Sequence, residues 1–186
     1  MDRRQSLGLL GGLVASLAFA KAAAATTARA VSLQDLVGRS SRVVRSTPLD
    51  SFARSEAIAG TQHIVTYSRL RVEEVLEGDA PETEILVRTL GGTLGAVGEM
   101  VHGEAELAIN QPCVVFLGTD AQGVELVTAM AQGHYPLTLD SRGTPHLRAS
   151  RNLPHLVHGA AAVSAVEQLA GLGVDQARSL ILGVRR

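Results

Sequence analysis

The chain has 186 residues, of which 46% are hydrophobic and 19% are charged, and its formal net charge is −1. From Val31 onward it carries 17 acidic side chains, 13 arginines and no lysine, so this part is mildly acidic. Such a composition excludes a typical nucleic-acid or anionic-membrane binding protein, because both partners attract clustered Lys and Arg. Residues 31–186 suffice for one domain with its own core.

Residues 1–30 have the parts of an export signal. Arg3 and Arg4 stand in a short polar start, and a mostly apolar, uncharged run follows from Leu7 to Ala20. That run has the length of a signal-peptide core and is short for a membrane-spanning helix, which needs about 20 apolar residues. Small residues follow it. We therefore expect a cleaved signal peptide, a periplasmic or extracellular protein, and no stable membrane span afterwards.

The arginine pair resembles the twin-arginine (Tat) export signal, whose pattern is S-R-R-x-F-L-K. The stretch here is Asp2-Arg3-Arg4-Gln5-Ser6-Leu7-Gly8, in which the arginines and the leucine match. Glycines dilute the apolar run and Lys21 follows it, as is typical of Tat signals, which carry folded proteins. The alternative is an ordinary Sec signal. Cleavage after an A-x-A motif is predicted before Val31, in preference to before Lys21.

Cys113 is the only cysteine, so no internal disulfide can form. It stands in the apolar run Pro112–Leu117, which is typical of a central strand and predicts a buried, small hydrophobic side chain. A nucleophile or an intermolecular disulfide is the alternative, but no neighbouring motif activates the thiol. Because no cysteine lies near the cleavage motifs, a lipoprotein anchor is excluded.

The first predicted elements are a short helix and a first strand. A helix over 32–37 is indicated by the capping-box spacing of Ser32 and Asp35. A first strand covers 42–46, and 49–62 is a polar strand extension or a loop. The remaining predicted elements are a strand over 63–77, a turn at 78–81, a strand over 83–90, a glycine-rich loop over 91–103, strands at 113–117, 124–130 and from 133, a turn within 140–146, and helices over 160–169 and 175–182.

Four short motifs carry a resemblance. They are Ser-Ser-Arg-Val-Val at 40–44, Leu-Arg-Val-Glu-Glu-Val-Leu-Glu-Gly at 70–78, a glycine pair at 91–92, and Cys-Val-Val-Phe-Leu at 113–117. Their order resembles a group of uncharacterised exported bacterial β-domain proteins with the pattern V-x-E-V-L-K-G … G-G … G-E-x-V-V-F-L. It is also distantly similar to the netrin-like module, the OB-type barrel of tissue inhibitors of metalloproteinases.

The resemblance implies a mainly β fold, a small OB-like antiparallel barrel with a short N-terminal helix and a helical C-terminal tail. The expected boundaries are 1–30 for the signal, 31–150 for the barrel and 151–186 for the tail. Those inhibitors chelate the protease zinc through an amino-terminal cysteine and are braced by disulfides. This chain has only Cys113, so that inhibitory chemistry is not expected.

Two motifs that suggest ligands are weighed against simpler structural interpretations. His155 and His158 have the spacing H-x-x-H, which binds a metal when the segment is helical, but a polar connection is preferred. The glycines at 91, 92, 95 and 98 invite a phosphate-loop interpretation, yet no Gly-Lys-Ser/Thr follows, so a barrel-rim loop is preferred.

Acidic and polar clusters are the other candidates. Glu73 and Glu74 point to opposite faces of a strand, so they do not act as one pair. Glu104 and Glu106 share a face, and a solvated edge is expected there. A general base among the polar residues Gln132, His134 and Tyr135 is weighed against structural packing, which is preferred. A serine nucleophile is likewise not expected, because no G-x-S-x-G motif is present.

The sequence therefore predicts an exported, non-enzymatic binding or structural module with an unknown protein or small-molecule partner outside the cytoplasm. No catalytic, cofactor-binding or metal-binding residue is assigned, and no cofactor is expected. Scarce aromatic residues disfavour a platform for stacking sugars or single strands. The alternatives are a modulator of an exported protease, and an enzyme whose polar side chains converge in a deep pocket.

Overall fold

A computed structural model describes residues 26–80, 82–159 and 163–185, so the twin-arginine motif and the A-x-A motif before Lys21 lie outside the described residues. The fold is mainly β. The strands are β1 (Thr27–Arg29), β2 (Arg42–Ile58), β3 (Thr61–Gly78), β4 (Glu84–Leu90), β5 (Gly92–Leu94), β6 (Val97–Glu99), β7 (Cys113–Thr119), β8 (Glu125–Val127), β9 (His134–Leu139), β10 (Pro145–Leu147) and β11 (His155–Val157). The helices are α1 (Leu33–Gly38), α2 (Ala165–Leu169) and α3 (Val174–Val184), with a 3₁₀ turn at Met130–Gly133.

Five strands form a closed ring in the order β7-β2-β3-β4-β8, because β8 pairs with both β4 and β7. The β4–β8 pairing is parallel, and the other pairings in the ring are antiparallel. Strand β7 also pairs with β9 through its first half, and β10 follows β9 at the outer edge. The predicted mainly β fold is confirmed, with a ring of strands at its centre.

The β2–β3 hairpin is the longest feature of the ring. The two strands are joined by Ala59 and Gly60, whose φ angles are +50° and +84°. Two positive φ angles in a two-residue loop match the twist of a tight hairpin, and Gly60 adopts its angle without steric cost. Where the sequence left 49–62 open between extension and loop, β2 continues to Ile58 and the hairpin projects beyond the ring.

Two apolar clusters lie on opposite faces of the ring strands. The inner cluster fills the ring and takes side chains from all five strands: Val44, Leu70, Ile85, Val87, Cys113, Val115, Leu117 and Val127. The outer cluster joins neighbouring strand residues, including Val43, Val114 and Phe116, to the buried faces of α1, α2 and α3. Alternation along each strand explains both clusters, because successive side chains point to opposite faces.

The helices cover the outer cluster, and α1 begins as its sequence predicts, whereas α2 begins at Ala165, later than the predicted start at residue 160. The Ser32 hydroxyl accepts a hydrogen bond from the Asp35 backbone N–H at 3.1 Å, which confirms the predicted cap of α1. Helix α2 has a full capping box formed by Ser164 and Glu167. No helix in the described ranges is both long and apolar enough to cross a membrane.

Strand β1 lies within the span that the sequence assigns to the signal peptide. It pairs in parallel with β11, and Ala30 N–H donates to the Val157 carbonyl at 3.0 Å. The buried side chain of Gln132 hydrogen-bonds to the backbone on both sides of Ala30. Its Oε1 accepts from Val31 N–H at 2.9 Å, and its Nε2 donates to the Arg29 carbonyl at 3.0 Å. Residues 27–31 therefore pack as part of the folded body.

Candidate functional site

An open cleft of about 590 Å³ lies between the projecting half of the β2–β3 hairpin and the turn that joins β7 to β8. Its floor is the face of β3 and β4 that points away from the ring interior. Side chains with polar or aromatic groups line it: Arg54, Glu56, Tyr67, Arg88, Asp120 and Gln122. They come from three strands and one turn, so only the folded ring brings them together.

Strand register explains how the cleft is assembled. Tyr67 of β3 lies opposite Phe52 of β2 on one side and opposite Arg88 of β4 on the other. Directly opposed residues on antiparallel strands have neighbouring side chains on the same face. Arg54 and Glu56 follow Phe52 at intervals of two, so they share that face.

An aromatic stack lies beside the cleft: Tyr67 lines the cleft, and Phe52 stacks on Tyr67. The rings of Phe52 and Tyr67 are stacked at 5.5 Å between centroids with an interplanar angle of 12°. The guanidinium of Arg54 lies 4.5 Å from the Tyr67 ring centroid, in a cation–π contact. Phe52 remains 51% exposed. A flat, partly wet aromatic surface is therefore available beside charged groups, and it suits a ligand with a flat apolar face.

A hydrogen-bond network fixes the charged groups of the cleft. The Tyr67 hydroxyl donates to Glu56 Oε1 at 2.8 Å, and Arg88 donates to Glu56 Oε2 at 3.2 Å and to Asp120 Oδ2 at 2.6 Å. Desolvation works against ionisation of Glu56, but hydrogen bonds from Tyr67 and Arg54 hold the pKa of its carboxyl below the usual value. Two arginines thus face two carboxylates, and the cleft has no net charge.

Asp120 also shapes the turn at the edge of the cleft. Its Oδ1 accepts hydrogen bonds from the backbone N–H groups of Gln122 and Val124, each at 2.9 Å. This is the usual way in which an aspartate stabilises a turn. The other carboxylate oxygen accepts from Arg88, so the turn and β4 are held together. The cleft is therefore preorganised, which lowers the entropic cost of binding.

Cys113 is fully buried in the inner cluster, which confirms the prediction of a small hydrophobic side chain. Burial raises the pKa of its thiol to about 12, with the Ser46 hydroxyl 3.8 Å from the sulfur. A thiol in this position is neither ionised near neutral pH nor accessible to a substrate.

The polar group at 132–135 has structural contacts, as the sequence predicts. His134 is 2% exposed, its Nδ1 lies 3.2 Å from the Ser150 hydroxyl, and burial lowers its pKa to about 4. Tyr135 is buried in the outer cluster against Phe116, with ring centroids 5.9 Å apart, and burial raises the pKa of its hydroxyl. Neither group lines the cleft.

The two histidines of the H-x-x-H motif lie in an extended segment. His155 begins β11, and His158 follows the end of that strand, where its Nδ1 lies 3.8 Å from Glu167. The metal interpretation requires a helix that places both histidines on one face, and the extended backbone does not form one. Within residues 26–80, 82–159 and 163–185, no group of three or more His, Cys, Asp or Glu side chains is placed to hold a metal ion.

The paired carboxylates differ in their surroundings. Glu73 accepts from Thr47 at 2.6 Å, whereas Glu74 accepts from Arg178 of α3 at 3.1 Å, so the predicted separation onto two faces is confirmed. Glu106 is exposed, but the expectation of a solvated edge is wrong for Glu104, which is 9% exposed. Its carboxylate accepts the backbone N–H groups of Leu90 and Ala105, and local sequence does not reveal those partners.

The glycine-rich segment forms the β5–β6 hairpin rather than an irregular loop. Gly92 has a φ of +135°, and an added Cβ would lie 2.3 Å from Thr66 Oγ1. The glycine is needed because the hairpin turns back over β3 at close range. That steric reason accounts for the pair at 91–92 without a phosphate.

Sequence reasoning missed the cleft residues Arg54, Tyr67, Arg88 and Asp120, and it missed Phe52, which stacks on Tyr67. Period-two spacing of Phe52, Arg54 and Glu56 was the available signal, but it did not say which strands are neighbours. Neither protein-family models nor curated proteins give a match to this sequence, so the site is interpreted from its own chemistry.

Proposed function

We propose that this protein is exported and acts outside the cytoplasm as a non-enzymatic binding module built on an OB-type barrel. The observation that carries the proposal is the preorganised cleft, in which a stacked Phe52–Tyr67 pair stands beside two compensated arginine–carboxylate pairs. A protein segment or small molecule with a flat apolar face and polar edges fits this chemistry.

Strand order supports the barrel type. In OB-type barrels, ligands lie across the second and third strands, between the loop joining strands one and two and the loop joining strands four and five. The five ring strands follow one another along the chain as β2, β3, β4, β7 and β8, so β3 and β4 are the second and third. The β2–β3 turn and the β7–β8 turn occupy the two loop positions, and both border the cleft. Fold likeness alone does not name a ligand.

The charge states in the cleft support the proposal of a role in binding rather than catalysis. Both carboxylates are ion-paired, and hydrogen bonds from arginine and from the Asp120 turn hold their pKa values low against desolvation. A general acid needs a raised carboxyl pKa, and a general base needs a free lone pair aimed at substrate. The best nucleophile of the described chain, Cys113, is sealed in the inner cluster.

Export is proposed from the sequence of residues 1–30, where an arginine pair precedes a weakly apolar run and small residues. A folded body without disulfides suits a route that carries folded proteins, because its stability does not depend on oxidation outside the cytoplasm.

Affinity capture of the tagged full chain from the envelope fraction of its own host, followed by mass spectrometry, tests the proposal. Phe52→Ala removes the stack and Arg54→Ala removes the cation–π contact, whereas Leu139→Ala changes an exposed apolar residue on β9 as a control. One dominant co-purifying protein, kept by the control and lost by both cleft variants, supports the cleft as the binding surface. Equal capture by all variants contradicts it.

The same samples report the mature amino terminus and the compartment. A chain that begins near residue 21 or 31 in the envelope fraction supports export, whereas a cytoplasmic chain that retains Met1 contradicts it. A correctly processed protein without a protein partner directs the search to small molecules, by native mass spectrometry of the same purified sample.

A further inference from the structure

A second concave surface opens at one end of the ring, away from the cleft. This end groove has a volume of about 620 Å³ and lies between the β5–β6 hairpin and the segment 104–107. It shares no lining residue with the cleft. Its floor continues the inner face of β3 and β4, where apolar side chains give way to hydroxyl groups.

Hydroxyl groups on this floor are only partly used by the fold. The Thr66 hydroxyl donates to the Gly91 carbonyl at 2.7 Å, and the Thr89 hydroxyl reaches the Thr66 carbonyl at 3.4 Å. Ser68 lines the groove next to them and is 2% exposed. A hydroxyl oxygen carries two acceptor lone pairs besides its donor, so a ligand with a polar group can hydrogen-bond to this floor.

The segment 105–108 forms one bank of the groove and has the pattern of an unpaired strand. Ala105 and Leu107 are buried in the inner cluster, whereas Glu106 and Ala108 are exposed. Among the described residues, the backbone N–H groups of Glu106 and Leu107 donate to no backbone carbonyl. In an extended segment these two N–H groups point to opposite edges, so an added extended chain on one edge can pair with one of them.

The opposite bank is apolar, and the groove as a whole is acidic. Met100 is 80% exposed, although it is large and apolar. The groove is lined by Glu99, Glu104 and Glu106 and by no Lys, Arg or His. Burial raises the pKa of Glu104 despite two backbone N–H donors, whereas Glu106 faces water. Acidic ligands are therefore disfavoured, and neutral or basic ones are favoured.

We propose that the end groove binds an extended peptide segment of a partner protein, by strand addition along residues 105–108. The segment presents an uncharged polar side chain to Ser68 and an apolar side chain to Met100, and it lacks Asp and Glu. Free backbone groups supply affinity in this mode, and the side-chain contacts on the two banks supply specificity.

Selection from a phage-displayed library of random decapeptides on the purified full chain tests this proposal. We expect enrichment of peptides without acidic residues. For one enriched synthetic peptide, hydrogen exchange at the amide of Glu106 should slow on binding. Glu106→Pro removes a backbone donor from an exposed position, and we expect it to weaken binding about tenfold or more. The matched variant Glu106→Ala keeps the donor and should bind within about threefold of the original chain, since its acidic charge is at the rim.

Met100→Ser is expected to weaken binding several-fold, whereas Leu139→Ser, at a similarly exposed apolar position on β9, should not. Three outcomes would overturn the proposal. They are failure to enrich any peptide, equal binding by Glu106→Pro and Glu106→Ala without amide protection, and binding that is lost in Arg54→Ala but kept in Met100→Ser. The last outcome would assign peptides to the cleft instead of the end groove.

Discussion

His134 is a nearly buried histidine in β9 whose ring contacts the Ser150 hydroxyl. Burial lowers its folded-state pKa to about 4, whereas the unfolded chain titrates near the ordinary value of about 6.5. The unfolded state therefore binds a proton first as the pH falls. Stability is present above about pH 6.5 and is lost progressively down to about pH 4.

Because of this difference in pKa, we expect acidification from pH 7.5 to 4.5 to lower the free energy of unfolding by about 2.5 kcal/mol through His134 alone. Urea unfolding at the two pH values measures the total loss, to which paired carboxylates also contribute. His134→Asn keeps a polar group near Ser150 but does not titrate, so its loss should be smaller by that amount. Identical losses in both chains would show that His134 is not buried in its neutral form.

Arg42 of β2 makes two ion pairs at the point where the ring closes. Its nearly buried guanidinium donates to Glu82 at 2.8 Å and to Glu125 of β8. The side chain therefore connects β2 to β8, the strand that closes the ring. We expect Arg42→Met to lower the free energy of unfolding by about 3 kcal/mol, because Glu125 then loses its partner in a largely buried position.

A matched control for this change is Arg69→Met. Arg69 pairs with Asp50 and Glu84, but all three side chains are about half exposed, so its loss should cost less than about 1 kcal/mol. Both values come from urea unfolding at neutral pH. Similar costs for the two variants would contradict a special role of Arg42 in ring closure.

At the scale of single elements, local sequence predicted most of the molecule. The cap at Ser32, the strands after residues 42 and 113, and the turn at Asp120 follow from spacing and turn chemistry alone. The exact end of β2 did not, because Ala59-Gly60 is a weak hairpin signal compared with Asn-Gly. That hairpin forms since cross-strand pairing along β2 and β3 outweighs the strain at Ala59.

The β5–β6 hairpin offers a test of why glycine stands at its first position. Gly92→Ala should destabilise the chain by about 2–3 kcal/mol or displace the hairpin, because its Cβ would collide with Thr66 Oγ1 in addition to requiring a positive φ. Gly95 also has a positive φ, of +61°, but a Cβ added there meets nothing within 4 Å. For Gly95→Ala we therefore expect only the backbone strain of about 1 kcal/mol. Thermal unfolding of both variants decides between steric collision and backbone preference, and equal Tm values would rule out the collision.

At the scale of the whole molecule, the amino-terminal strand is joined to β11, more than a hundred residues further along the chain. Strand β1 pairs with β11, and Gln132 bonds to the backbone on both sides of Ala30. A chain that begins at Lys21 keeps these contacts, whereas one that begins at Val31 loses β1 and leaves Gln132 partly unpaired. We expect the shorter chain to be less stable by about 1–3 kcal/mol, since a nearly buried amide loses a partner.

Differential scanning calorimetry of the two purified chains measures this difference as a fall in Tm of several degrees. A Gln132→Ala variant of the longer chain should lose about half of the same stability. Equal Tm values for both chains would mean that β1 contributes nothing to the folded body. The result also bears on maturation, because cleavage before either residue yields one of these two chains.

The sequence by itself determined the mainly β class of the fold and much of its local structure. Period-two alternation marks the strands. The apolar run around Cys113 predicts burial, because each of these properties depends on residues close together in the chain. Local spacing also correctly separated Glu73 from Glu74.

Only the tertiary structure decided which strands are neighbours. The parallel pairing of Arg88 with Leu126 closes the ring, and the register beside Tyr67 assembles the cleft. Burial of Glu104 likewise depends on N–H donors that include one fourteen residues away. Such pairings are selected by the total burial and hydrogen bonding of the closed ring, and a short sequence pattern contains no information about its distant partner.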